Sequence, residues 1–386
     1  MMKREIETTA ALEEWLASPS RTNDVVFQGL DLTKYDDVLR AIDLRGCVFV
    51  GCRMTTALAA HVGESKCFSI PPMPGKPFDP FRVSLYTPEE LLEGFDVEHP
   101  ESYAKTPDAV IYAHYKDPEN GGLDDVLARR IHDFSIGDAL DDNIAAWSGE
   151  GVVGIMGGHS VPRGAPPYVA AARLSRTLAR EGFLVVTGGG PGVMEAGNLG
   201  VYVAPHPDDA LDFAIREMAT APTHDDPRYL VPSFRVRQQF PAPPMRAFRS
   251  LGVPTWFYGH EQPNIFATYI AKYFENSVRE EGLLAVASRG VIFAEGSAGT
   301  LQEIFQNACQ NYYRSYRQTP VPMILFGVDY WNPPGDGVAG RSKKVYPLLM
   351  KLAEEAGFAH LVRTTDSIEE IATVIRTPPE GPGLKN

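Results

Sequence analysis

From residue 151 onward, apolar runs without polar alternation take turns with stretches of helical periodicity. The segments "GVVGIMGG" (151–158) and "FLVVTGGGPG" (183–192) each place a short apolar run before glycines. Between them, "PYVAAARLSRTLAREG" (167–182) repeats apolar residues three and four positions apart, which is typical of an amphipathic helix. Unalternated strands that are each followed by a helix indicate a parallel sheet buried on both faces. The pattern predicts an α/β fold with a doubly wound, mostly parallel, Rossmann-like sheet.

The same alternation continues to the end of the chain. Further strands are predicted at 201–205, 253–259, 290–294 and 321–327. Further helices are predicted at 193–200, 207–219, 264–281, 301–313, 343–357 and 367–376. Because ligands of doubly wound sheets bind outside the carboxyl ends of the strands, the loops at that edge are the candidate binding elements.

Residues 1–140 show a shorter, mixed pattern and predict a separate α+β segment, a cap or regulatory region, before a catalytic domain at 141–386. We expect a helix at 5–18, strands at 25–32 and 44–54, and two more helices at 123–134 and 136–147. Apolar residues recur every five positions in the strand regions, which fits either a pentapeptide-type β-coil or a plain β-rich cap. The proline-rich segment 71–80 predicts a linker.

Composition and charge narrow the functions that this fold could serve. The 386 residues carry a formal net charge of −13 and no run of basic residues, which argues against a nucleic-acid groove. Cysteines without zinc-type spacing are expected to be plain thiols in a reducing compartment; they are Cys47, Cys52, Cys67 and Cys309. No signal-peptide pattern and no membrane-length apolar stretch occur, so we expect a cytoplasmic protein without a membrane partner.

Three glycine-rich loops follow predicted strands, at 156–164, 187–197 and 296–300. Glycine lets backbone amides approach a ligand, and a helix N-terminus adds unpaired N–H donors, so such loops bind phosphate without a lysine. None of the loops matches the dinucleotide fingerprint G-x-G-x-x-G, and no P-loop sequence occurs. The predicted ligand contacts in these loops are Gly158, His159, Gly188, Gly189, Gly190, Gly192, Gly296, Ser297, Ala298, Gly299 and Thr300.

Two acidic residues stand at equivalent positions, about one turn into the helices that follow the second and third loops. Glu195 lies three residues after Gly192, and Glu303 lies three residues after Thr300. Either acid could simply complement the positive end of its helix dipole, or it could face the ligand. We predict that both lie beside the ligand.

The second and third loops resemble the two signatures of the LOG family of nucleoside 5′-monophosphate phosphoribohydrolases. The stretch "TGGGPGVMEAGNLG" (187–200) is similar to the first, and "EGSAGTLQE" (295–303) to the second, which reads P-G-G-x-G-T-x-x-E. Glu295 stands where the family has proline, and Ser297 stands where it has its second glycine. The resemblance covers roughly residues 140–376, and the long chain is nearer to bacterial members that act on general nucleotides.

This resemblance implies an AMP nucleosidase-like hydrolase that releases free base and ribose 5-phosphate, with no metal and no cofactor. Glu303 would stabilise the oxocarbenium-like sugar and activate the attacking water, while Arg279 would bind the phosphate or orient Glu303. The family forms dimers or larger homo-oligomers, which assigns "NYYRSYRQ" (311–318) to a contact between copies. A non-catalytic nucleotide sensor on the same fold is the alternative.

For several residues outside the signatures, the sequence leaves two roles open. Three arginines either bind the phosphate or lie away from it: Arg163, Arg246 and Arg249. Aromatic residues that form either core or a base-stacking wall are Trp256, Phe257 and Tyr258. Because a carboxylate would repel a phosphate, we expect Glu295 to point away from the third loop or to pair with an arginine.

Overall fold

The chain divides into two compact units. The computed structural model describes residues 4–18, 24–147, 149, 151–242, 248–258, 262–317, 319–335 and 342–377. One unit comprises Met1–Leu85 with His114–Asp142, and the other comprises Tyr86–Ala113 with Asn143–Asn386. The second unit thus includes residues that precede the predicted boundary at 140, and that boundary stays a prediction.

The first unit contains a four-stranded parallel sheet in sequential order. Strands and helices alternate in the order β1 (Arg4–Ile6), α1 (Thr9–Ala17), β2 (Val25–Gln28), α2 (Asp36–Arg40), β3 (Val48–Val50), α3 (Thr56–Glu64) and β4 (Phe68–Ile70). Each strand with its helix forms one unit of roughly 20 residues, the length range of stacked solenoid repeats. The repeat is therefore a strand and a helix, and the five-residue β-coil expected as one alternative is wrong.

Aromatic stacking fixes the core of this first sheet. The Trp15 ring meets Phe27 edge-on at 5.2 Å, and Phe27 stacks on Phe49 at 4.9 Å. Because Phe27 and Phe49 are partners in the β2–β3 register, their rings lie side by side on one face. All three side chains are buried.

Three helices follow in the chain: α4 (Pro88–Leu91), α5 (Pro107–Lys116) and α6 (Leu123–Ala146). The two helices predicted at 123–134 and 136–147 are one helix, α6. Ser135 and Gly137 lie within this helix without interrupting it, and the Ser135 hydroxyl donates to the carbonyl of Pro80 at 3.0 Å. Weak helix formers are tolerated when packing and side-chain hydrogen bonds hold them.

The second unit contains a seven-stranded parallel sheet, which confirms the predicted doubly wound α/β fold. Its strands are β5 (Val152–Met156), β6 (Leu184–Thr187), β7 (Ser250–Gly252), β8 (Tyr269–Ile270), β9 (Gly290–Phe293), β10 (Met323–Phe326) and β11 (Val362–Thr365). They lie in the order β11-β10-β9-β5-β6-β7-β8, so the order reverses direction at β5. Crevices outside the carboxyl ends at such a reversal are where these sheets bind ligands.

Helices connect the strands of this sheet. They are α7 (Pro166–Arg180), α8 (Val193–Tyr202), α9 (Asp208–Met218), α10 (Leu230–Gln239), α11 (Asn276–Val286), α12 (Ala298–Tyr313), α13 (Val328–Trp331), α14 (Tyr346–Glu355) and α15 (Ile368–Arg376). Strands β5, β6, β9 and β10 are buried at every position, as their unalternated apolar sequences predict.

Three predicted elements of this unit are wrong. The apolar stretch 201–205, predicted as a strand, is the end of α8 and the turn after it. Gly200 lets α8 pack directly against the carbonyl oxygen of Ala172 on α7, so helix packing buries the apolar residues that follow. The third strand of this sheet along the chain is β7 instead, and it ends at Gly252, so the strand predicted at 253–259 is the second error.

The long helix predicted at 264–281 is the third error. Only its last part is helical, from Asn276 onward, and Tyr269–Ile270 forms β8 beside β7. Short apolar runs cannot be assigned to helix or strand by periodicity alone, and here aromatic and β-branched residues favour the strand. Among the described residues, no helix combines the length and apolar character needed to cross a membrane.

Candidate functional site

The three glycine loops meet at the carboxyl edge of the seven-stranded sheet. The Gly158 amide donates to the carbonyl of Glu295 at 2.8 Å, and the Gly158 carbonyl accepts from the Val193 amide at 3.2 Å. Gly192 has a φ of +68°, and a Cβ there would collide with the Gly158 carbonyl oxygen. Glycine is therefore required for the loops after β5 and β6 to touch.

A cavity of about 430 Å³ opens where these loops meet. Predicted residues from the first two loops that line it are Gly158, His159 and Gly188. Predicted residues from α11, the third loop and α12 that line it are Arg279, Ser297, Ala298, Gly299, Thr300 and Glu303. The structure thus brings both predicted catalytic residues and most predicted contacts to one cavity of the size that binds small molecules.

The N-terminus of α12 forms one end of the cavity. Ser297 is its N-cap and makes no side-chain capping bond, and residues 297–299 are exposed. The first amides of a helix have no acceptor within the helix, so those of Ala298, Gly299 and Thr300 are donors for an anion. The Thr300 side chain packs against the Cα of Gly296, where a Cβ would lie 2.6 Å from the Cβ of Thr300. Gly296 therefore shapes the loop without lining the cavity.

Glu303 is a buried carboxyl in the cavity wall, about one turn into α12. The side chain of Arg279 on α11 approaches it, with Nη1 3.6 Å from Glu303 Oε1. Burial raises the pKa of Glu303 to about 7, with a further rise from the charge of Glu280 and an opposing effect of Arg279. A carboxyl with this pKa is poised to exchange protons near neutral pH.

Arg279 is a buried cation whose hydrogen-bonding capacity is largely unused. Its side chain is 11% exposed, and its Nε and Nη1 atoms have no hydrogen-bond partner among the described residues. The second glycine loop lies close to this guanidinium: a Cβ on Gly188 would be in ordinary contact with Arg279 Nη1, at 3.7 Å. Buried polar groups are normally hydrogen-bonded, so these donors point to an anionic or oxygen-rich ligand.

Glu195, predicted to contact substrate, lies outside this cavity in a separate buried ion pair. Its two carboxylate oxygens accept from Arg163 at 2.7 and 2.5 Å, and Oε2 also accepts from the Tyr168 hydroxyl at 3.0 Å. The other Arg163 donors bind the carbonyls of Ala221 and Tyr229 and the hydroxyl of Ser233. Every N–H of this guanidinium is used, so Arg163 is not available to a phosphate.

The other glycines of the second loop shape the backbone instead of lining the cavity. Gly189 has a φ of +69°, and a Cβ there would lie 2.6 Å from Cδ of Pro254. Gly190 and Gly192 are buried in the same turn. The predicted ligand contacts of Gly189, Gly190 and Gly192 therefore find no support in this arrangement.

Glu295, the acid in the family's proline position, does not line the cavity. Its side chain lies near Gly327, and burial with the charge of Asp366 raises its pKa. The expectation that it points away from the third loop is met. Arg249 stacks on the Trp147 ring at 5.0 Å, and Arg246 lies outside the described residues.

The three aromatic residues at 256–258 divide between core and cavity. Trp256 is buried and donates from Nε1 to Asp108, whereas Tyr258 lines the cavity and is 52% exposed. Phe257 is 43% exposed and packs edge-on against Tyr258 at 5.0 Å. Only Tyr258 thus contributes an aromatic wall.

Sequence reasoning missed several cavity residues, which are Gly157, Met194, Thr255, Glu280 and Gln302. Glu280 is the most informative of them, because it adds a second buried carboxylate to the cavity. Its position directly after Arg279 was a signal in the sequence. Neighbouring residues of a helix point about 100° apart, however, so adjacency alone did not place both in one cavity.

Among the described residues, one group of three acidic side chains is close enough to share a cation: Glu5, Glu7 and Asp142. It belongs to the first unit, and two of its members are exposed. Burial raises the pKa of Glu7 to about 7, with further contributions from nearby acids.

Comparison with known proteins relates part of the chain to one family. Residues 150–205 match the SLOG cluster4 family. The match includes the first two glycine loops with α7 and α8, and it spans less than half of the chain. No curated protein matches the chain.

Solved structures similar to this chain include two proteins whose names refer to the molybdenum cofactor. One is the molybdenum cofactor binding protein from Rippkaea orientalis, at 15% identity and a TM-score of 0.34, covering 59% of this chain and 96% of that chain. The other is a Moco carrier protein from Chlamydomonas reinhardtii, at 16% identity and a TM-score of 0.34, covering 59% and 96%. We draw no functional conclusion from likeness at this level.

Proposed function

We propose that the protein hydrolyses the N-glycosidic bond of a nucleoside 5′-monophosphate, giving free base and ribose 5-phosphate. The observation that carries this proposal is Glu303, a buried carboxyl with a pKa of about 7 in a nucleotide-sized cavity. Beside it lies Arg279, whose Nε and Nη1 have no hydrogen-bond partner among the described residues. The similarity of residues 150–205 to the SLOG cluster4 family and the LOG-like signatures support the same proposal.

The phosphate is assigned to the α12 N-terminus. The amides of Ala298, Gly299 and Thr300 would donate to its oxygens, and the helix dipole would favour its charge. Arg279, whose Nη1 lies 3.6 Å from Glu303 Oε1, is the one arginine or lysine among the described residues that line the cavity, and it supplies positive charge there. Binding the phosphate fixes the sugar relative to the reacting groups.

The reaction itself is assigned to Glu303. As the C1′–N bond breaks, its electron pair goes to the base nitrogen and positive charge develops on C1′ and the ring oxygen. Ionised Glu303 would stabilise that charge, and it would take one proton from a water whose oxygen bonds to C1′. The departing base gains one proton, which balances the proton that Glu303 takes from water. Base and ribose 5-phosphate together therefore contain the atoms of one added water.

A panel of nucleoside 5′-monophosphates, each paired with its unphosphorylated nucleoside, tests this function. Free base and ribose 5-phosphate are measured by chromatography after incubation with the full-length protein. We expect release from at least one monophosphate and far slower release from its nucleoside, because the nucleoside lacks the group that α12 binds. Nucleotide binding without base release from any member would instead favour a non-catalytic nucleotide sensor.

We further propose that the exposed tyrosines at the end of α12 and shortly after it form a contact between copies of the chain. Tyr312, Tyr313 and Tyr316 are 41%, 74% and 53% exposed, and aromatic residues are enriched in protein interfaces. Light scattering on the wild type and on Tyr312→Ser/Tyr313→Ser tests this. A homo-oligomer that the double variant weakens supports the contact, and a wild-type monomer refutes it.

A further inference from the structure

Glu280 is the second buried carboxylate of the cavity, and neither signature includes it. It lies on α11 directly after Arg279, is 3% exposed as a residue, and lines the same cavity as Glu303. Burying a carboxylate without hydrogen-bond partners costs free energy, so the partners of each Glu280 oxygen indicate the role of this side chain.

One oxygen of Glu280 is fully occupied by the protein. Oε2 accepts from Asn276 Nδ2 at 3.0 Å and from Gln302 Nε2. Oε1 has no hydrogen-bond partner among the described residues, and it is not sealed from solvent. The two amides hold the side chain in place and leave one acceptor oxygen for a ligand.

Glu280 stands at the aromatic end of the cavity. Asn276 Nδ2, which donates to Glu280, also donates to the hydroxyl of Tyr258 at 3.1 Å. A shared amide places the carboxylate and the tyrosine next to each other. An aromatic ring is the surface on which a nucleobase stacks, whereas the phosphate is assigned to the α12 end.

We propose that Glu280 is a specificity-determining residue that accepts a hydrogen bond from an exocyclic amino group of the base. This inference rests on the proposed function, because it assumes that a nucleotide occupies the cavity. The oxygens of an ionised carboxylate accept hydrogen bonds and do not donate them. Oε1 therefore favours a base that presents an N–H group, and a base without an amino group cannot make this bond.

The test compares AMP with purine riboside 5′-monophosphate, which differs only by lacking the amino group. If the panel shows base release from pyrimidine nucleotides instead, the pair becomes CMP and its 4-deamino analogue. We expect the wild type to favour the amino-bearing nucleotide in kcat/KM by about 10- to 100-fold, the range for a hydrogen bond to a charged group. Binding constants measured by calorimetry give a second readout that needs no turnover.

Glu280→Gln makes the inference sharper. In this variant the side-chain carbonyl keeps the bonds to Asn276 and Gln302, and the new NH₂ group faces the base. Donor then meets donor, so the preference for the amino-bearing nucleotide should fall to about one or below. Because both nucleotides meet the same Glu303, a change in its protonation cancels in the ratio.

Glu281→Gln is the matched control, since Glu281 lies outside this cavity and binds Gln306. It should keep the wild-type ratio. Equal kcat/KM for both nucleotides in the wild type, or an unchanged ratio in Glu280→Gln, overturns the role of Glu280 while hydrolysis stands. Absence of both binding and base release for every nucleotide overturns the proposed function and this inference with it.

Discussion

Two arginine–glutamate pairs of the second unit have the same sequence setting and opposite surroundings. Glu195 and Glu303 each lie about one turn into a helix that follows a glycine loop, and both are buried. Glu195 is held by two short hydrogen bonds from Arg163, whereas Glu303 lies 3.6 Å from Arg279. The first pair is closed and the second is open.

The difference lies in what the arginine does with its remaining donors. All Arg163 donors bind the protein, and its guanidinium also stacks on the Tyr229 ring at 3.4 Å. Arg279 Nε and Nη1 find no hydrogen-bond partner in the described part of the chain, and Arg279 lines a cavity. A buried ion pair with every donor used serves the fold, and one with donors left over is prepared for a ligand.

The largest expected effect is on stability, at the closed pair. Glu195→Gln leaves the Arg163 charge buried without its counter-ion, so we expect a loss of about 3–5 kcal/mol in the free energy of unfolding. Denaturant unfolding measures it. Glu303→Gln is the matched substitution at the open pair and should cost far less, because Glu303 makes no hydrogen bond with the residues that the structure describes and only a 3.6 Å ion pair with Arg279. Equal losses in the two variants would contradict the comparison.

The next effect separates the two arginines by function. Arg279→Met removes the cation beside the reacting sugar and should lower kcat/KM by about 100-fold or more while the protein stays folded. Arg163→Met should instead destabilise the fold by an amount similar to Glu195→Gln. Both variants are assayed for base release and for thermal unfolding. Full activity in Arg279→Met would show that the Arg279 charge does not contribute to the reaction.

A smaller effect probes the phosphate end of the cavity. Ala298→Pro deletes one amide donor at the first position of α12, where helices tolerate proline. We expect KM and the phosphate dissociation constant to rise about 10- to 100-fold, because a bond to a charged group is lost. Ala298→Ser keeps the amide and should bind phosphate as the wild type does. Unchanged binding in the proline variant would place the phosphate elsewhere.

The smallest effect is a change with pH. Ionised Glu303 is the active form and its pKa is about 7, so kcat/KM should rise between about pH 6 and pH 8. Arg279 and Glu280 are the charged groups that face it, and Glu280→Gln should move this rise to lower pH. A profile that is flat across this range in the wild type would exclude Glu303 as the titrating group.

Stability should follow the same group with the opposite sign. The folded-state pKa of Glu303 lies above its ordinary value of 4.5, so the folded state binds the proton more tightly than the unfolded chain. Its contribution is fully present below about pH 4.5 and is lost as pH rises through 7. Glu303→Gln should remove this part of the pH dependence, which unfolding curves at several pH values measure.

Much of the fold could be predicted because the strands are buried on both faces. The runs at β5, β6, β9 and β10 are apolar at nearly every position, and a helix follows each of them along the chain. The segment 201–205 failed because it is a short apolar run, and 264–281 failed because the short strand β8 precedes the helix within it. Periodicity alone does not distinguish helix from strand in such short runs. Tertiary packing decided them.

The site was predictable at its loops and not at its second carboxylate. Glycines before helix starts follow from backbone requirements, so Gly158, Gly188 and the 296–300 loop could be located from the sequence. The spacing after each loop could not distinguish Glu195 from Glu303, because the deciding partners lie far along the chain. Glu280 depended on how α11 packs against α12, which no local pattern encodes.

The most direct measurement is base release by the wild type, Glu195→Gln and Glu303→Gln at equal concentrations of folded protein. With the best nucleotide of the panel at pH 8, we predict comparable release by the wild type and Glu195→Gln. Glu303→Gln should bind the nucleotide and release base at least about 100-fold more slowly. Release by Glu303→Gln at the wild-type rate, or an equal loss in folded Glu195→Gln, would contradict the assignment of hydrolysis to the open pair.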